Sequence, residues 1–282
     1  MLVAFAGSLG GKGDGEVVHT ERLVDTAAAI ELVHLASLVH DDILDDALVR
    51  RGRPALRTLW GDGMAVLTGD LLYARAFELV VPWGTDAVGY LTQAIAAMCE
   101  AEIEQRLARF DPDQGEAAYI ARLRKKTGAL LGCACACGAH VAGLDQHAVE
   151  RLRSYGESLG VAFQIADDLL DWRAETADLG KPAGNDFMQG VITLPVIYAL
   201  REPEGYAIRE VLLSCREMGR SPEPREIEAI RGLVHERGHL EAAEATARTW
   251  ARRAASFLEG LPVHGSVEPL RDFTRRAVDR RR

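Results

Sequence analysis

The chain is short of several things, and each shortage narrows what it can be. It has no surplus of positive charge: 33 Lys and Arg stand against 42 Asp and Glu, a formal charge of −9 over 282 residues. That excludes binding to nucleic acid through a broad basic surface. No apolar run approaches the ~18–20 residues that a membrane span needs, so no span is expected. The apolar opening MLVAFAGSLGG has no basic region before it and reads as part of a core helix rather than a signal peptide. Cysteine is sparse. Three of the five fall in Cys133-Ala134-Cys135-Ala136-Cys137, with no histidine or fourth cysteine nearby at zinc-ligand spacing. They read as small packing residues in a helix, and an odd number of free thiols fits a reducing cytoplasm. There is no convincing alternating β pattern, no low-complexity linker, no Ser/His/Asp order and no glycine-rich phosphate loop. Gly7-Ser8-Leu9-Gly10-Gly11-Lys12-Gly13 lacks the P-loop spacing.

What is present is helical periodicity almost throughout. The expected helices cover 2–9, 21–49, 62–81, 86–109, 115–142 (one or two), 146–173, 193–200, 206–218, 224–237, 239–258 and 267–280. Gly52 with Pro54, Pro82 with Gly84, Asp111-Pro112-Asp113 and Gly143 punctuate them. Residues 174–190, with three breakers between Leu179 and Asp186, read as a mobile flap. One all-α domain spanning 1–282 accounts for the pattern.

The organising stretch is Asp41-Asp42-Ile43-Leu44-Asp45-Asp46, at the end of an apolar helix. On a continuing helix Asp41 and Asp45 share a face, as do Asp42 and Asp46. Such crowding of carboxylates makes sense with a cation between them. A second copy, Asp167-Asp168-Leu169-Leu170-Asp171, also follows apolar sequence. Magnesium takes few protein carboxylates and completes its octahedron with water and substrate phosphate. Two such clusters therefore point to Mg²⁺ and a polyphosphate. Arg50 and Arg51 are candidates for bidentate phosphate binding. Lys126, Thr127, Lys181, Gln164 and His34 are further candidates, weaker because lone polar residues are usually solvated or structural.

These stretches, with LTGDLLYARAF (67–77), KKTGALLGCACACGA (125–139) and LGKPAGNDFMQGVITLP (179–195), resemble the trans-isoprenyl diphosphate synthases, or polyprenyl synthetases, over nearly the whole chain. The resemblance implies an all-α, isoprenoid-synthase-type helical bundle around a central cavity, and a medium- or long-chain prenyltransferase of the cytoplasm. Its substrates would be isopentenyl diphosphate and an allylic diphosphate of the farnesyl or geranylgeranyl class, its cofactor about two to three Mg²⁺ ions, and its assembly a homodimer or a heteromer. By the same resemblance, Asp41, Asp42, Asp45, Asp167, Asp168 and Asp171 hold the metal. Arg50, Lys126, Thr127, Gln164 and Lys181 meet the allylic diphosphate; Arg51 and His34 meet isopentenyl diphosphate. Asp41, Asp42, Asp45, Arg50, Lys126 and Lys181 would carry catalysis.

Two departures from the family pattern stand out. The Gly-Gly-Lys-Arg-x-Arg-Pro stretch of the family would precede Met1: a start upstream is expected, the alternative being a chain that binds isopentenyl diphosphate poorly and serves as a non-catalytic or weakly active subunit beside a full-length synthase. The flap lysine is replaced in Gly190-Val191-Ile192-Thr193. Ala36 and Ser37, one turn before Asp41, are small, which implies a longer product unless Tyr73 or Phe77 forms a floor.

Overall fold

The computed structural model describes residues 1–10, 20–173, 184–261 and 267–279. It is an all-α helical bundle. Its internal contacts fall into two compact units.

The first unit comprises Met1–Ile95, Leu130–Arg153 and Gly260–Leu270. It contains α1 (Leu2–Ser8), α2 (Thr20–Leu44), α3 (Leu56–Trp60), α4 (Asp62–Val80) and the start of α5 (Thr85–Leu107). It also takes most of α7 (Ala129–Val141) and the start of α8 (Gln146–Arg173). Helices α2 and α4 lie side by side. Gly69 permits that approach: a Cβ there would collide with the ring of His40. The same ring has Val66 O 3.2 Å from its Nε2 and stacks at 5.8 Å, centroid to centroid, on Tyr73. The three cysteines of α7 are buried, and Cys133 and Cys137 Sγ lie 3.8 Å apart. Burial pushes the Cys135 thiol up to about 12, which keeps it protonated and chemically quiet.

Helix α2 bears on the membrane expectation without overturning it, since one such helix is not by itself a span. By length and composition, Glu21–Leu44 suffices to cross a membrane, with mean hydropathy 1.4, and 22% of that stretch is buried. Its apolar residues are interrupted by Glu31, Asp41 and Asp42, so no continuous run appears in the sequence. The absence of strands needs correction. Val49–Arg50 (β1) pairs antiparallel with Arg53–Pro54 (β2), with Arg50 opposite Arg53. The two-residue turn between them, Arg51-Gly52, has both φ angles positive (51° and 75°), the twist that a tight hairpin requires.

The second unit comprises Ala96–Ala129, Ser154–Glu259 and Arg271–Arg282. Its core gathers Tyr119, Ile165, Trp172, Phe187, Ile192 and Ile197 among others, all essentially buried. Each such side chain contributes roughly 1.5–3 kcal/mol on leaving water. α6 (Glu116–Leu123) runs into a single π-helical turn, Arg124–Gly128, before α7. Beyond α8 come α9 (Asn185–Met188), α10 (Leu194–Ala199), α11 (Gly205–Met218), α12 (Pro224–Glu236), α13 (His239–Ser256) and α14 (Glu268–Val278). Pro195 sits in the first turn of α10, where a missing N–H costs nothing. The described part of the expected flap, 184–190, is a packed element. Phe187 is buried, its ring 6.1 Å from that of Trp172.

Candidate active site

In the first unit, α2 does not run on to 49; it ends at Leu44. Asp46 takes φ +52°, a left-handed conformation that Asp tolerates better than most residues. The Ala47 amide then bonds to Asp42 O at 2.9 Å and the Asp46 amide to Ile43 O at 3.3 Å. This is the paired Schellman closure of a helix end. The expected common face of Asp42 and Asp46 is therefore lost, because the chain turns before the second of them. Asp46 instead accepts from Arg57 at 2.8 Å, on the exposed side. Asp45 keeps a helical amide bond to Asp41 O at 2.8 Å, so those two remain one turn apart.

The hairpin brings Arg50 back onto the helix end. Its Nε donates to Asp42 Oδ1 at 2.5 Å, and the Asp42 side chain is only 5% exposed. Arg51 stays exposed in the turn. His34, half-buried two turns earlier, lies in the field of both arginines. Burial and these two cations lower its pKa against the pull of Glu31, which favours the neutral ring. Arg50 is 35% exposed, so solvent screens part of the pair. Arg50→Ala is expected to cost about 1–2 kcal/mol, mostly from leaving Asp42 buried without its partner. Urea denaturation of the full chain measures this.

In the second unit, Asp167 is exposed and Asp168 buried on adjacent positions of α8. Asp168 is fully hydrogen-bonded: Tyr119 OH donates to Oδ2 at 2.6 Å and Gln164 Nε2 to Oδ1 at 2.9 Å. Thr127 Oγ1 in turn donates to Gln164 Oε1 at 2.8 Å. The π turn places Thr127 at the end of this relay, and single π turns recur at functional positions in helices. Lys126, in the same turn, is held by Glu102 at 3.0 Å and Gln105 at 3.2 Å and lies in the field of Asp168. Lys181 falls outside the described residues. Sequence reading missed Tyr119, Glu102 and Asp186. Tyr119 looks like any apolar position of an amphipathic helix, and only the tertiary fold reveals its carboxylate partner.

The acids of this unit crowd one another. Burial, reinforced by Asp167, lifts the Asp168 carboxyl to about 6 in spite of its two donors. Burial and the charges of Asp168, Asp171 and Asp167 raise that of Asp186 as well. Among the described residues, no three His, Cys, Asp or Glu side chains are gathered closely enough to cage an ion by themselves. Mg²⁺ takes one or two carboxylates from a protein and completes its shell from water and phosphate. The donor set of hard oxygens under mutual repulsion fits such an ion.

The raised pKa has a stability consequence. The folded protein holds the Asp168 proton more tightly than the unfolded chain, so it is favoured at low pH and loses that advantage as pH rises from about 4 to about 6. A shift of about two units corresponds to ~3 kcal/mol. In chelator, wild type should lose on that order of stability across this interval, and Asp168→Asn should show a flatter profile. Denaturant midpoints at four or five pH values test it.

The structure is thus an all-α helical bundle in which acid-rich helix segments lie beside arginine and lysine side chains. A model of the family "Polyprenyl synthetase" matches residues 1–229. The heptaprenyl diphosphate synthase component 2 of Geobacillus stearothermophilus is 38% identical over 90% of this chain and 78% of its own length. The nonaprenyl diphosphate synthase of Mycobacterium tuberculosis is 35% identical over 88% of this chain and 74% of its own. Among solved structures, a Caulobacter crescentus polyprenyl synthase complexed with calcium and isoprenyl diphosphate superposes with a TM-score of 0.87. It is 34% identical, covering 100% of this chain and 84% of that one. The chain belongs to the polyprenyl synthetase family, whose members named here are transferases of prenyl groups.

Proposed function

We propose that the protein condenses isopentenyl diphosphate with an allylic diphosphate to give a medium- or long-chain polyprenyl diphosphate. The observation that carries this is the Thr127–Gln164–Asp168–Tyr119 relay beside Lys126, with a carboxylate crowded by Asp167. A dication on the carboxylates would supply the electrophilic pull on the departing diphosphate. Arg50 and Arg51 in the first unit, and Lys126 in the second, would each bind diphosphate oxygens and spread their charge. Asp42 holds Arg50 in its place, as Glu102 and Gln105 hold Lys126. The C–O bond of the allylic substrate breaks, the double bond of isopentenyl diphosphate attacks the resulting cation, and a proton leaves to the released diphosphate. His34, whose neutral form is favoured, would join Arg51 on the isopentenyl diphosphate side as a hydrogen-bonding group without a charge of its own. Ala36 and Ser37, small residues one turn before Asp41, leave room for a growing chain.

A homodimer acting in the cytoplasm fits this reading. Met64, Leu67 and Leu71 are exposed at helical spacing along α4, an apolar stripe of the kind that a second copy covers. A second reading, a subunit acting with a different partner, draws on the Geobacillus relative, which is named as one component of its synthase. Incubation with Mg²⁺, labelled isopentenyl diphosphate and farnesyl diphosphate separates the two. Elongated product supports the first; allylic diphosphate binding without turnover supports the second.

A further inference from the structure

Three consecutive amides converge on one residue of the second acidic stretch. The Gly184 N–H donates to Asp171 backbone O at 3.0 Å, that of Asn185 to Asp171 Oδ1 at 3.2 Å, and that of Asp186 to Asp171 Oδ2 at 3.1 Å. Both carboxylate oxygens of Asp171 are thereby directed at backbone. α8 ends two residues later, and α9 begins at Asn185. The end of α8 is pinned further by Trp172 Nε1, which donates to Thr193 Oγ1 at 3.1 Å. His235 Nε2 lies 3.0 Å from Trp172 O. The Asp186 amide is held against Asp171, and its carboxyl lies in the field of Asp168, Asp171 and Asp167, with Lys126 a cation in the same field.

We infer that Asp171 is a positioning residue, a clasp on the amides of Asn185 and Asp186, and that Asp186 takes the cation-facing place the motif assigns to Asp171. Carboxylate oxygens occupied by two N–H donors are poorer ligands for a dication than those of an acid held against its neighbours. The motif's spacing puts Asp171 one turn after Asp167, but its oxygens are spent on chain geometry. Asp186, fifteen residues further on, belongs to no aspartate motif, and the clasp delivers it to the cluster. The role of Asp186 rests on the proposed metal-assisted function; the clasp does not.

Amide hydrogen exchange on the full-length, metal-free protein tests the clasp. Asp171→Ala should speed exchange at Asn185 and Asp186 by about tenfold or more, the equivalent of one net hydrogen bond each. Asp171→Asn keeps a single acceptor oxygen and should release only one of the two amides, which also covers the case in which the alanine variant does not fold. Gly184, bonded to backbone, should stay protected in the asparagine variant. Unchanged exchange at both amides in either folded variant overturns the clasp. For Asp186, Mn²⁺ with inorganic pyrophosphate is titrated by electron paramagnetic resonance. Asp186→Asn should weaken Mn²⁺ binding about tenfold or more with both amides still protected; wild-type affinity in that variant overturns the assignment. A wild-type protein that binds no Mn²⁺ overturns it too, together with the proposed function, and leaves the exchange result standing.

Discussion

Replacement of Asp41 or Asp167 by alanine is expected to lower turnover on the order of 10³-fold and to leave helix content unchanged. The two residues differ from their neighbours in a way that makes this a clean test. Asp42 is buried against Arg50, and Asp168 is buried between Tyr119 and Gln164, so removing either disturbs the fold as well as the chemistry. Asp41 is half-buried in the last turn of α2, and Asp167 is exposed on α8. Loss of an exposed carboxylate seldom changes stability by more than a few tenths of a kcal/mol. A large fall in turnover with an unchanged circular dichroism spectrum and denaturant midpoint would therefore report charge held on a substrate. Turnover within a few-fold of wild type for both variants would remove the ion-binding role of these acids.

The second large effect concerns packing. A Cβ added at Gly160 would lie 2.6 Å from Gly128 Cα and 3.0 Å from Thr127 C. One added at Gly128 would lie 2.9 Å from Glu157 O. α8 and the π turn thus meet backbone to backbone through two glycines, and neither side can yield by rotating a side chain. Overpacking a well-filled contact costs about 1–3 kcal/mol even where side chains can shift. Gly160→Val should exceed that range and leave little folded protein. Gly160→Ala should fall near its upper end and lower turnover as well, since Thr127 and Lys126 stand on the backbone that is pushed away. Thermal melts of both variants, with turnover measured for the alanine form, check this. A Gly160→Val protein as stable as wild type would mean that the two helices are not held in this contact.

Most helix positions were legible because burial imposes its period on the residues. The forecast for 146–173 coincides with α8, and those for 224–237 and 239–258 miss α12 and α13 only at their ends. The failures share a cause. α2 was extended past Leu44 because Asp46 and Ala47 carry no glycine or proline to announce a stop; the closure depends on a left-handed aspartate. The segment 174–190 was read as loose because Gly180, Pro182 and Gly184 are breakers, yet in its described part Phe187 is fastened into the core. The acidic motifs named Asp168, but its partner Tyr119 lies 49 positions away, where no local pattern can connect them. Lys126 and Thr127 were only weak candidates until the resemblance singled them out, and the π turn that presents them leaves no mark on the hydrophobic period.

That turn carries a hidden tolerance and a hidden fragility. A π turn is an α-helix that has accommodated one surplus residue, so deletion of any single position from Arg124 to Gly128 could be absorbed as unbroken helix. Such a deletion mutant would look healthy by spectroscopy. Residues beyond the turn would keep their phase, because the bulge had already absorbed the extra position, but the side chains within it would be re-aimed, the Thr127 hydroxyl that steadies Gln164 among them. Chain length in this stretch is thus a functional quantity, invisible to any assay of folding.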